Sequence, residues 1–218
     1  MTTQPITTLL LDFDGTLLDT NDLIIQSFLS VLGKRYPGRF TKEDALGFIG
    51  PSLKQTFDEI DETLTEIMIQ EYRAWNIEMH DHLAVEFDGV AETLRLLKAR
   101  GIKMAIVSTK RSDIVRKGMK LMGIEDLFEV VIGLDNVVNP KPDPEPILLA
   151  LEQLGATKEE ALMIGDNSHD IEGGQNAGVR TAGVAWTAKG EAFLASFNPT
   201  IMLQHISDLL DIVEDPPA

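Results

Sequence analysis

Apolar positions recur along this chain with two different spacings. Across residues 17–85 they recur at helical intervals, with no convincing alternation of apolar and polar residues. Tyr36-Pro37-Gly38 breaks this pattern, and the helical pieces after it cover residues 41–48, 53–60 and 64–75. On either side of the segment, short apolar runs alternate with helical patterns. The pattern predicts an α/β core formed by residues 1–16 and 86–218, with an all-helical segment, residues 17–85, inserted after the first strand.

The short apolar runs predict the strands of the core. They occupy residues 9–11, 103–107, 130–132, 162–164 and 181–185. The predicted core helices cover residues 90–99, 113–122, 144–154, 171–177 and 206–213, the third with Asp143 as its N-cap. Strands that alternate with helices and are apolar on both faces indicate a parallel sheet with helices on each side. Ligands bind such sheets at the carboxyl ends of the strands.

Charge and composition narrow the possible partners. The chain has 19 Lys and Arg against 35 Asp and Glu, and its net charge of -16 repels nucleic acids and anionic membrane surfaces. It has no cysteine, which excludes thiolate metal sites, and no apolar run of membrane-spanning length. We therefore expect a cytoplasmic protein that binds neither nucleic acid nor membrane; its oligomeric state is left open. An anionic substrate would need local cations, backbone amides or a metal ion.

Two carboxylates, Asp12 and Asp14, follow the first apolar run. Residues two apart on a strand face the same side, so both can serve one reacting centre. Adjacent carboxylates repel each other and attract a divalent cation, which suggests Mg²⁺. With a phosphate group present, one carboxylate can act as nucleophile and the other as proton shuttle. Gly15 then lets the backbone approach a ligand closely. The alternative interpretation is a strand followed by an acidic turn.

Two later segments of the core contain lysines, and one of them also contains hydroxyls, at positions where a phosphate could bind. Ser108-Thr109-Lys110 ends a strand and opens a helix, where a hydroxyl and backbone amides can hold phosphate oxygens. Its alternative interpretation is an ordinary N-cap with a solvated lysine. Lys141 lies between two prolines that restrict the backbone, as expected for a lysine aimed at the nucleophile and a bound phosphate, or for a rigid loop.

Asp166 and Asp170 follow the strand at residues 162–164. If a helix begins there, the two carboxylates lie on one side, one turn apart. One could bind the metal directly, and the other could bind through water or orient Lys141. The alternative interpretation is a helix N-terminus enriched in acidic residues, which is common.

Together, these segments resemble the motifs of the haloacid dehalogenase superfamily of phosphatases. The matching residues are Asp12-Phe13-Asp14-Gly15-Thr16, Ser108, Lys141, and Gly165-Asp166 with Asp170. Residues 17–85 are similar to the cap domain of that superfamily, so the resemblance covers essentially the whole chain. It implies a core sheet with strand order 5-4-1-2-3, which brings Asp12 and Asp166 onto neighbouring strands.

The resemblance also implies a mechanism. Asp12 would attack phosphorus to form an aspartyl-phosphate, and Asp14 would protonate the leaving oxygen and then activate water. Mg²⁺ would be bound by Asp12, the backbone carbonyl of Asp14 and Asp166, with Asp170 close by. The acid at position 14 favours a phosphatase or phosphomutase over a dehalogenase. The residues implied to contact the phosphate are Ser108, Lys141, Gly15, Thr16, Thr109 and Lys110.

Within the superfamily, the chain is most similar to the small inorganic pyrophosphatases of Gram-positive bacteria. The similar segments include Phe48-Ile49-Gly50-Pro51-Ser52-Leu53, Tyr72-Arg73-Ala74, Met79-His80-Asp81 and Ala182-Gly183-Val184-Ala185-Trp186-Thr187. Pyrophosphate, a small anionic phosphate, is thus the expected substrate. Phosphoglycolate is the next candidate, and a sugar phosphate the third. The hypothesis from another class is a non-enzymatic, ligand-sensing module.

The helical segment itself is not basic. It has six Lys and Arg against twelve Asp and Glu, so few donors could bind a second phosphate. Gly50 lies in the segment that is similar to the family's substrate loop. Arg73 and His80 are the candidate donors, and the alternative for Arg73 is a solvated side chain paired with a nearby acid.

Overall fold

The chain folds into two compact units. A computed structural model describes residues 4–215, so the predicted domain ends at residues 1–3 and 216–218 lie outside the described residues. One unit, here called the core unit, comprises the chain up to Leu18 and from Glu86 onward. The other, the helical unit, comprises Asp19–Val85. The first division between them lies two residues after the one predicted from the sequence.

The elements are numbered separately for strands and helices. The strands are β1 (Thr8–Leu11), β2 (Leu18–Asp19), β3 (Val85–Glu86), β4 (Lys103–Val107), β5 (Val130–Ile132), β6 (Ala161–Gly165), β7 (Arg180–Val184) and β8 (Ile201–Leu203). The helices are α1 (Asn21–Arg35), α2 (Lys42–Gly47), α3 (Leu53–Asp61), α4 (Thr65–Leu83), α5 (Val90–Ala99), α6 (Ser112–Met122), α7 (Glu145–Leu154), α8 (Ser168–Ala177), α9 (Glu191–Ala195) and α10 (Leu209–Ile212). Short 3₁₀ turns lie at Glu62–Leu64, Glu125–Leu127, Leu134–Asn136 and Ile206–Asp208.

Within residues 4–215, the core unit contains a six-stranded sheet in the order β5-β4-β1-β6-β7-β8. Every described pairing in it is parallel, and Leu9 of β1 lies opposite Met104 of β4 and Leu162 of β6. All four residues of β1 are buried, as expected for an apolar strand covered on both faces. The predicted α/β class is confirmed. The five predicted core strands, counted along the chain, are β1, β4, β5, β6 and β7, and their order in the sheet is the expected 5-4-1-2-3. β8 adds a sixth strand outside β7.

Several element bounds differ from the prediction. α4 continues to Leu83, eight residues past the predicted end at residue 75. α8 begins at Ser168 rather than residue 171, which places Asp170 in its first turn. α7 begins at Glu145, so Asp143 is not its N-cap; the carboxylate of Asp143 instead accepts a hydrogen bond from the backbone N–H of Glu145, at 2.9 Å. β2 and β3, two residues each, were not predicted, because elements this short show no periodicity.

The helical unit has its own aromatic core. The ring centroid of Phe28 lies 4.8 Å from that of Tyr72, 5.2 Å from that of Phe48 and 5.4 Å from that of Phe57. These rings join α1, α3 and α4 into one packed cluster, which explains how a segment of this size can be compact. None of the helices within residues 4–215 combines the length and apolar character that crossing a bilayer requires.

Candidate active site

The parallel sheet places three predicted site residues directly after its central strands. Asp12 follows β1, Ser108 follows β4 and Asp166 follows β6. The backbone N–H of Asp12 donates to the carbonyl of Ile164 at 2.8 Å, and that of Ser108 donates to the carbonyl of Ile132 at 2.9 Å. The strand ladders thus hold the first residues of these loops, so the side chains are fixed by the most rigid part of the fold.

Lys141 is buried, and its ammonium group contacts residues at or after the ends of three strands, β1, β4 and β6. Nζ donates to Oδ1 of Asp12 at 2.9 Å, to Oδ1 of Asp170 at 2.5 Å and to the carbonyl of Val107 at 2.6 Å. The three protons of an ammonium group are therefore all used. This contact brings together residues separated by 129 positions in the chain.

Two glycines allow the carboxylates to approach the backbone. A Cβ at Gly15, where φ is 77°, would lie 2.7 Å from Cγ of Asp166, well inside van der Waals contact. A Cβ at Gly165 would overlap the side chain of Asp170. Asp170 is held further by the backbone N–H of Asn167, which donates to its Oδ2 at 3.0 Å in the capping box of α8. Gly15 therefore makes room for a neighbouring carboxylate as well as a turn.

Asp12, Asp166 and Asp170 form a cluster of buried carboxylates, with one oxygen from each lying within 4.8 Å of the others. Burial, opposed by Lys141 and reinforced by Asp170, raises the pKa of Asp12 to about 7. Burial and the neighbouring carboxylates raise the pKa of Asp166 well above its ordinary value. Burial alone would lower the pKa of Lys141, but Asp12 and Asp170 reverse this and raise it. One lysine thus leaves surplus negative charge on three carboxylates.

This donor set fits a divalent cation. Carboxylate oxygens are hard ligands of the kind that Mg²⁺ prefers, and a second positive charge would relieve the repulsion that raises these pKa values. The carboxylate of Asp14, also predicted as part of the metal site, is not one of the three in this cluster: Lys110 Nζ donates to its Oδ1 at 2.7 Å. The resemblance assigned the metal contact of Asp14 to its backbone carbonyl, and that assignment stays a prediction.

The other predicted phosphate contacts lie on the loops around this cluster. Ser108 is buried, and its Oγ accepts a hydrogen bond from the backbone N–H of Lys110 at 3.1 Å. Thr109 is half-buried, while Thr16 is fully buried and its carbonyl accepts from Nε1 of Trp186 at 3.3 Å. Their contacts with substrate stay predictions.

Two residues after β7 were not predicted as part of the site. Thr187 donates from Oγ1 to the carbonyl of Asp166 at 2.8 Å, and Oγ1 accepts from the backbone N–H of Lys189 at 3.3 Å. Lys189 lies close enough to Asp166 and Asp170 to feel their charge, although burial has the larger effect and lowers its pKa. The rule that ligands bind at the carboxyl ends of the strands would have found both residues, because they follow the next strand of the sheet.

The three residues of the helical unit that were predicted to contact substrate differ in their exposure to solvent. Gly50 is half-buried with φ of 116°, and Arg73 is exposed on α4. The exposure of Arg73 fits the alternative of a solvated side chain, and its pairing with a nearby acid stays a prediction. His80 is fully buried, and its Nδ1 lies 2.9 Å from Oδ1 of Asp81. The binding of a second phosphate by Arg73 and His80 stays a prediction.

The parallel α/β sheet holds a buried Asp–Lys–Asp contact beside a carboxylate cluster that could hold a metal ion. A family model described as haloacid dehalogenase-like hydrolase matches residues 9–184. The chain therefore belongs to the haloacid dehalogenase-like hydrolase family, and it is a phosphatase of that family.

Similar proteins cover nearly the whole chain. Pyrophosphatase PpaX of Listeria innocua is 55% identical over 214 residues, which cover 98% of this chain and 99% of the relative. The crystal structure of a protein described as a haloacid dehalogenase-like hydrolase, from Bacteroides fragilis, is 30% identical with a TM-score of 0.88, covering 94% and 99% of the two chains. That of a protein described as a phosphoglycolate phosphatase, from Lactobacillus plantarum, has a TM-score of 0.87, covering 96% and 100%. At 23% identity, the last likeness concerns the fold alone.

Proposed function

We propose that this protein is a Mg²⁺-dependent phosphohydrolase that cleaves inorganic pyrophosphate into two phosphates through an aspartyl-phosphate on Asp12. The observation that carries the chemistry is the ammonium of Lys141, held between Asp12 and Asp170 beside Asp166. The choice of pyrophosphate is supported by the name of the Listeria innocua relative, at 55% identity over almost the full length of both chains.

In the first step, a carboxylate oxygen of Asp12 attacks one phosphorus of the substrate. An O–P bond forms to Asp12 while the P–O bond to the other phosphate breaks, and Asp14 gives its proton to the oxygen that leaves. Lys141 remains an ammonium group because its pKa is raised, so it balances the charge of the nucleophile and of the transferring group. Ser108 and the backbone amides around Asp14 and Thr109 orient that group.

In the second step, Asp14 takes a proton from a water molecule. The water oxygen then bonds to phosphorus as the bond to Asp12 breaks, which releases phosphate and regenerates both carboxyl groups. Asp14 suits this exchange of roles because its carboxyl group is not one of the three in the buried cluster.

Asp12, Asp166, Asp170 and the backbone carbonyl of Asp14 would hold the Mg²⁺ ion. When bound, it supplies positive charge to phosphoryl oxygens that the net charge of -16 would otherwise repel. The same net charge disfavours a nucleic acid as substrate. A cytoplasmic location fits this small substrate and stays a prediction.

Phosphate release in the presence of Mg²⁺ tests the proposal, with kcat/KM compared for pyrophosphate, 2-phosphoglycolate and a panel of sugar phosphates. We expect a large preference for pyrophosphate and loss of turnover in Asp12→Asn. Asp126→Asn, the same change at an exposed residue, is the matched control. Mass spectrometry of Asp12→Asn checks that the asparagine has not deamidated.

Other outcomes would change the proposal in defined ways. Preference for 2-phosphoglycolate or a sugar phosphate would keep the mechanism and discard pyrophosphate as substrate. Full turnover by intact Asp12→Asn would remove Asp12 as nucleophile. Absence of turnover on every compound would return the protein to the non-enzymatic hypothesis.

A further inference from the structure

Lys110 and Asp14 form an ion pair that the reaction steps above do not use. Nζ of Lys110 lies 2.7 Å from Oδ1 of Asp14, and the side chains are only 16% and 14% exposed. Exposed ion pairs contribute little order because water screens them, whereas a largely buried pair fixes the position of both groups. Among the side chains of residues 4–215, Asp14 alone pairs with Nζ of Lys110.

The backbone on both sides of Lys110 is fixed as well. Its N–H donates to Oγ of Ser108 at 3.1 Å, and its carbonyl accepts from the N–H of Leu134 at 2.9 Å. Two residues later, the carboxylate of Asp135 accepts from the backbone N–H and from the hydroxyl of Ser112, both at 2.7 Å. The turn after β5 thus anchors the loop after β4, so the ammonium group of Lys110 projects from a rigid base.

Asp14, by contrast, sits on the turn that follows β1, before Gly15 in a left-handed conformation. A general acid acts efficiently only when its carboxyl group lies within hydrogen-bond reach of the atom that receives the proton. Free rotation of its side chain would spread the carboxyl group over several rotamers. Lys110 donates to this carboxyl group from an anchored loop and so restricts its rotation.

We propose that Lys110 is a positioning residue for Asp14: by donating to Oδ1 it holds the carboxyl group so that Oδ2, when it carries the proton, can pass it to the leaving oxygen. The inference rests on the proposed function, in which Asp14 is the general acid. The family resemblance predicts that Lys110 contacts the transferring phosphate. This proposal gives Lys110 a different role. It predicts that Lys110 matters only for leaving groups that need a proton.

Two phosphate monoesters of similar size test this distinction. Benzyl phosphate releases an alkoxide that needs protonation, whereas p-nitrophenyl phosphate releases a stable anion, and neither carries a second anionic group. The measured quantity is kcat/KM, because it reports events up to departure of the leaving group and not the later hydrolysis of the aspartyl-phosphate. The variants are Lys110→Met and Lys110→Gln, with Lys110→Arg as the conservative change and Lys120→Met, an exposed lysine of α6, as the matched control.

We expect Lys110→Met and Lys110→Gln to lower kcat/KM for benzyl phosphate by about 10- to 100-fold, which is at most the lower end of what a general acid contributes. The value for p-nitrophenyl phosphate should change by less than about 3-fold, since no proton is needed there. Lys110→Arg should recover part of the loss, and Lys120→Met should have no effect. In an Asp14→Asn background, Lys110→Met should cause no further decrease in kcat/KM for benzyl phosphate, because there is no acid left to position.

Three results would overturn the proposal. An equal loss for both esters would make Lys110 a contact of the transferring phosphate. A loss confined to pyrophosphate would make it a contact of the second phosphate. Additive losses in the Asp14→Asn background would show that the two residues act separately. Turnover of the monoesters without turnover of pyrophosphate would overturn the proposed substrate alone, while the comparison of the two esters would still decide the role of Lys110.

Discussion

The hydroxyl of Thr187 donates a hydrogen bond to the backbone carbonyl of Asp166, 2.8 Å away, and so links the end of β7 to the end of β6. Thr187 is buried, with 6% of its surface exposed, so water cannot replace this bond easily. The bond fixes the backbone from which one carboxylate of the cluster projects. Thr187 is therefore a support for the proposed metal site rather than a ligand in it.

Replacing Thr187 with Val tests this support. The change keeps the shape of the side chain but leaves a buried carbonyl without its donor, at a cost of about 1–3 kcal/mol in the free energy of unfolding. We also expect the Mg²⁺ concentration for half-maximal activity to rise by about 10-fold, as is typical when a group behind a metal ligand is removed. Thr187→Ser, which keeps the hydroxyl, should preserve both values. If Thr187→Val leaves the Mg²⁺ concentration for half-maximal activity unchanged, Thr187 contributes to the stability of the fold and not to the metal site.

Gly15→Ala tests the close approach of the backbone to Asp166. Both Gly15 and Gly38 have positive φ, 77° and 73°, so either substitution costs about 1–2 kcal/mol of backbone strain. A Cβ at Gly38 meets nothing within 4 Å, whereas one at Gly15 overlaps the carboxylate of Asp166. We therefore expect both variants to lose stability but only Gly15→Ala to lose activity. Equal activity of the two variants, measured as phosphate release with Mg²⁺, would contradict this explanation.

The sequence predicts the central strands and the residues that follow them because the signal there is local. A fully apolar run such as β1 followed by Asp12 specifies both a buried strand and the place where it ends. The strand β8 was missed because Ile201–Leu203 contains one β-branched residue, whereas β5, of the same length, consists of three. α4 was predicted too short because its last turns hold polar and half-buried residues that weaken the apolar pattern.

Side-chain pairing is harder to predict than strand order. Lys110 and Asp14 are 96 positions apart, and nothing in the sequence near either residue specifies that their side chains meet. The same is true of Thr187, because a hydroxyl at the end of a strand is ordinary until the strand order places it beside Asp166. The sequence could therefore assign the predicted residues to one edge of the sheet. Identifying the side chains that they contact required the three-dimensional structure.

Acid stability should depend on the bond between Arg35 and Glu71, which joins α1 to α4. The two terminal nitrogens of the guanidinium group, Nη1 and Nη2, donate to the carboxylate, at 2.7 and 2.8 Å. This hydrogen bonding lowers the pKa of Glu71 below its ordinary value of 4.5. A lowered pKa in the folded state means that the pair stabilises the fold above the ordinary pKa and loses this effect as the pH falls through the lowered value.

Glu71→Gln isolates that contribution. We expect the wild type to exceed the variant in unfolding free energy at neutral pH by at most about 1 kcal/mol, because the pair is partly exposed and screened. The difference should shrink as the pH falls below 4.5 and through the lowered pKa of Glu71. Glu152→Gln, a change on the exposed face of α7, serves as control and should show no such dependence. A difference that stays constant with pH, in urea titrations, would show that the pair does not cause it.

Removal of the metal gives the sharpest test of the carboxylate cluster. In the metal-free protein, burial and neighbouring carboxylates penalise the charged form of Asp166, which is why its pKa is raised. Asp166→Asn removes that penalty and keeps the shape of the side chain, and the bond from Thr187 to the backbone carbonyl is unaffected. We therefore expect the variant to have a higher Tm than the wild type when both are treated with a chelator.

Addition of Mg²⁺ should reverse this order. A ligand that binds only the folded state stabilises it by about 2.7 kcal/mol at a concentration 100 times its Kd, so the Tm of the wild type should rise while that of Asp166→Asn should not. Asp126→Asn should behave as the wild type does. Opposite signs in the two conditions cannot arise from simple damage to the fold, which would lower the Tm in both. If Mg²⁺ does not raise the Tm of the wild type, or raises the Tm of Asp166→Asn by the same amount, the cluster is not the metal site.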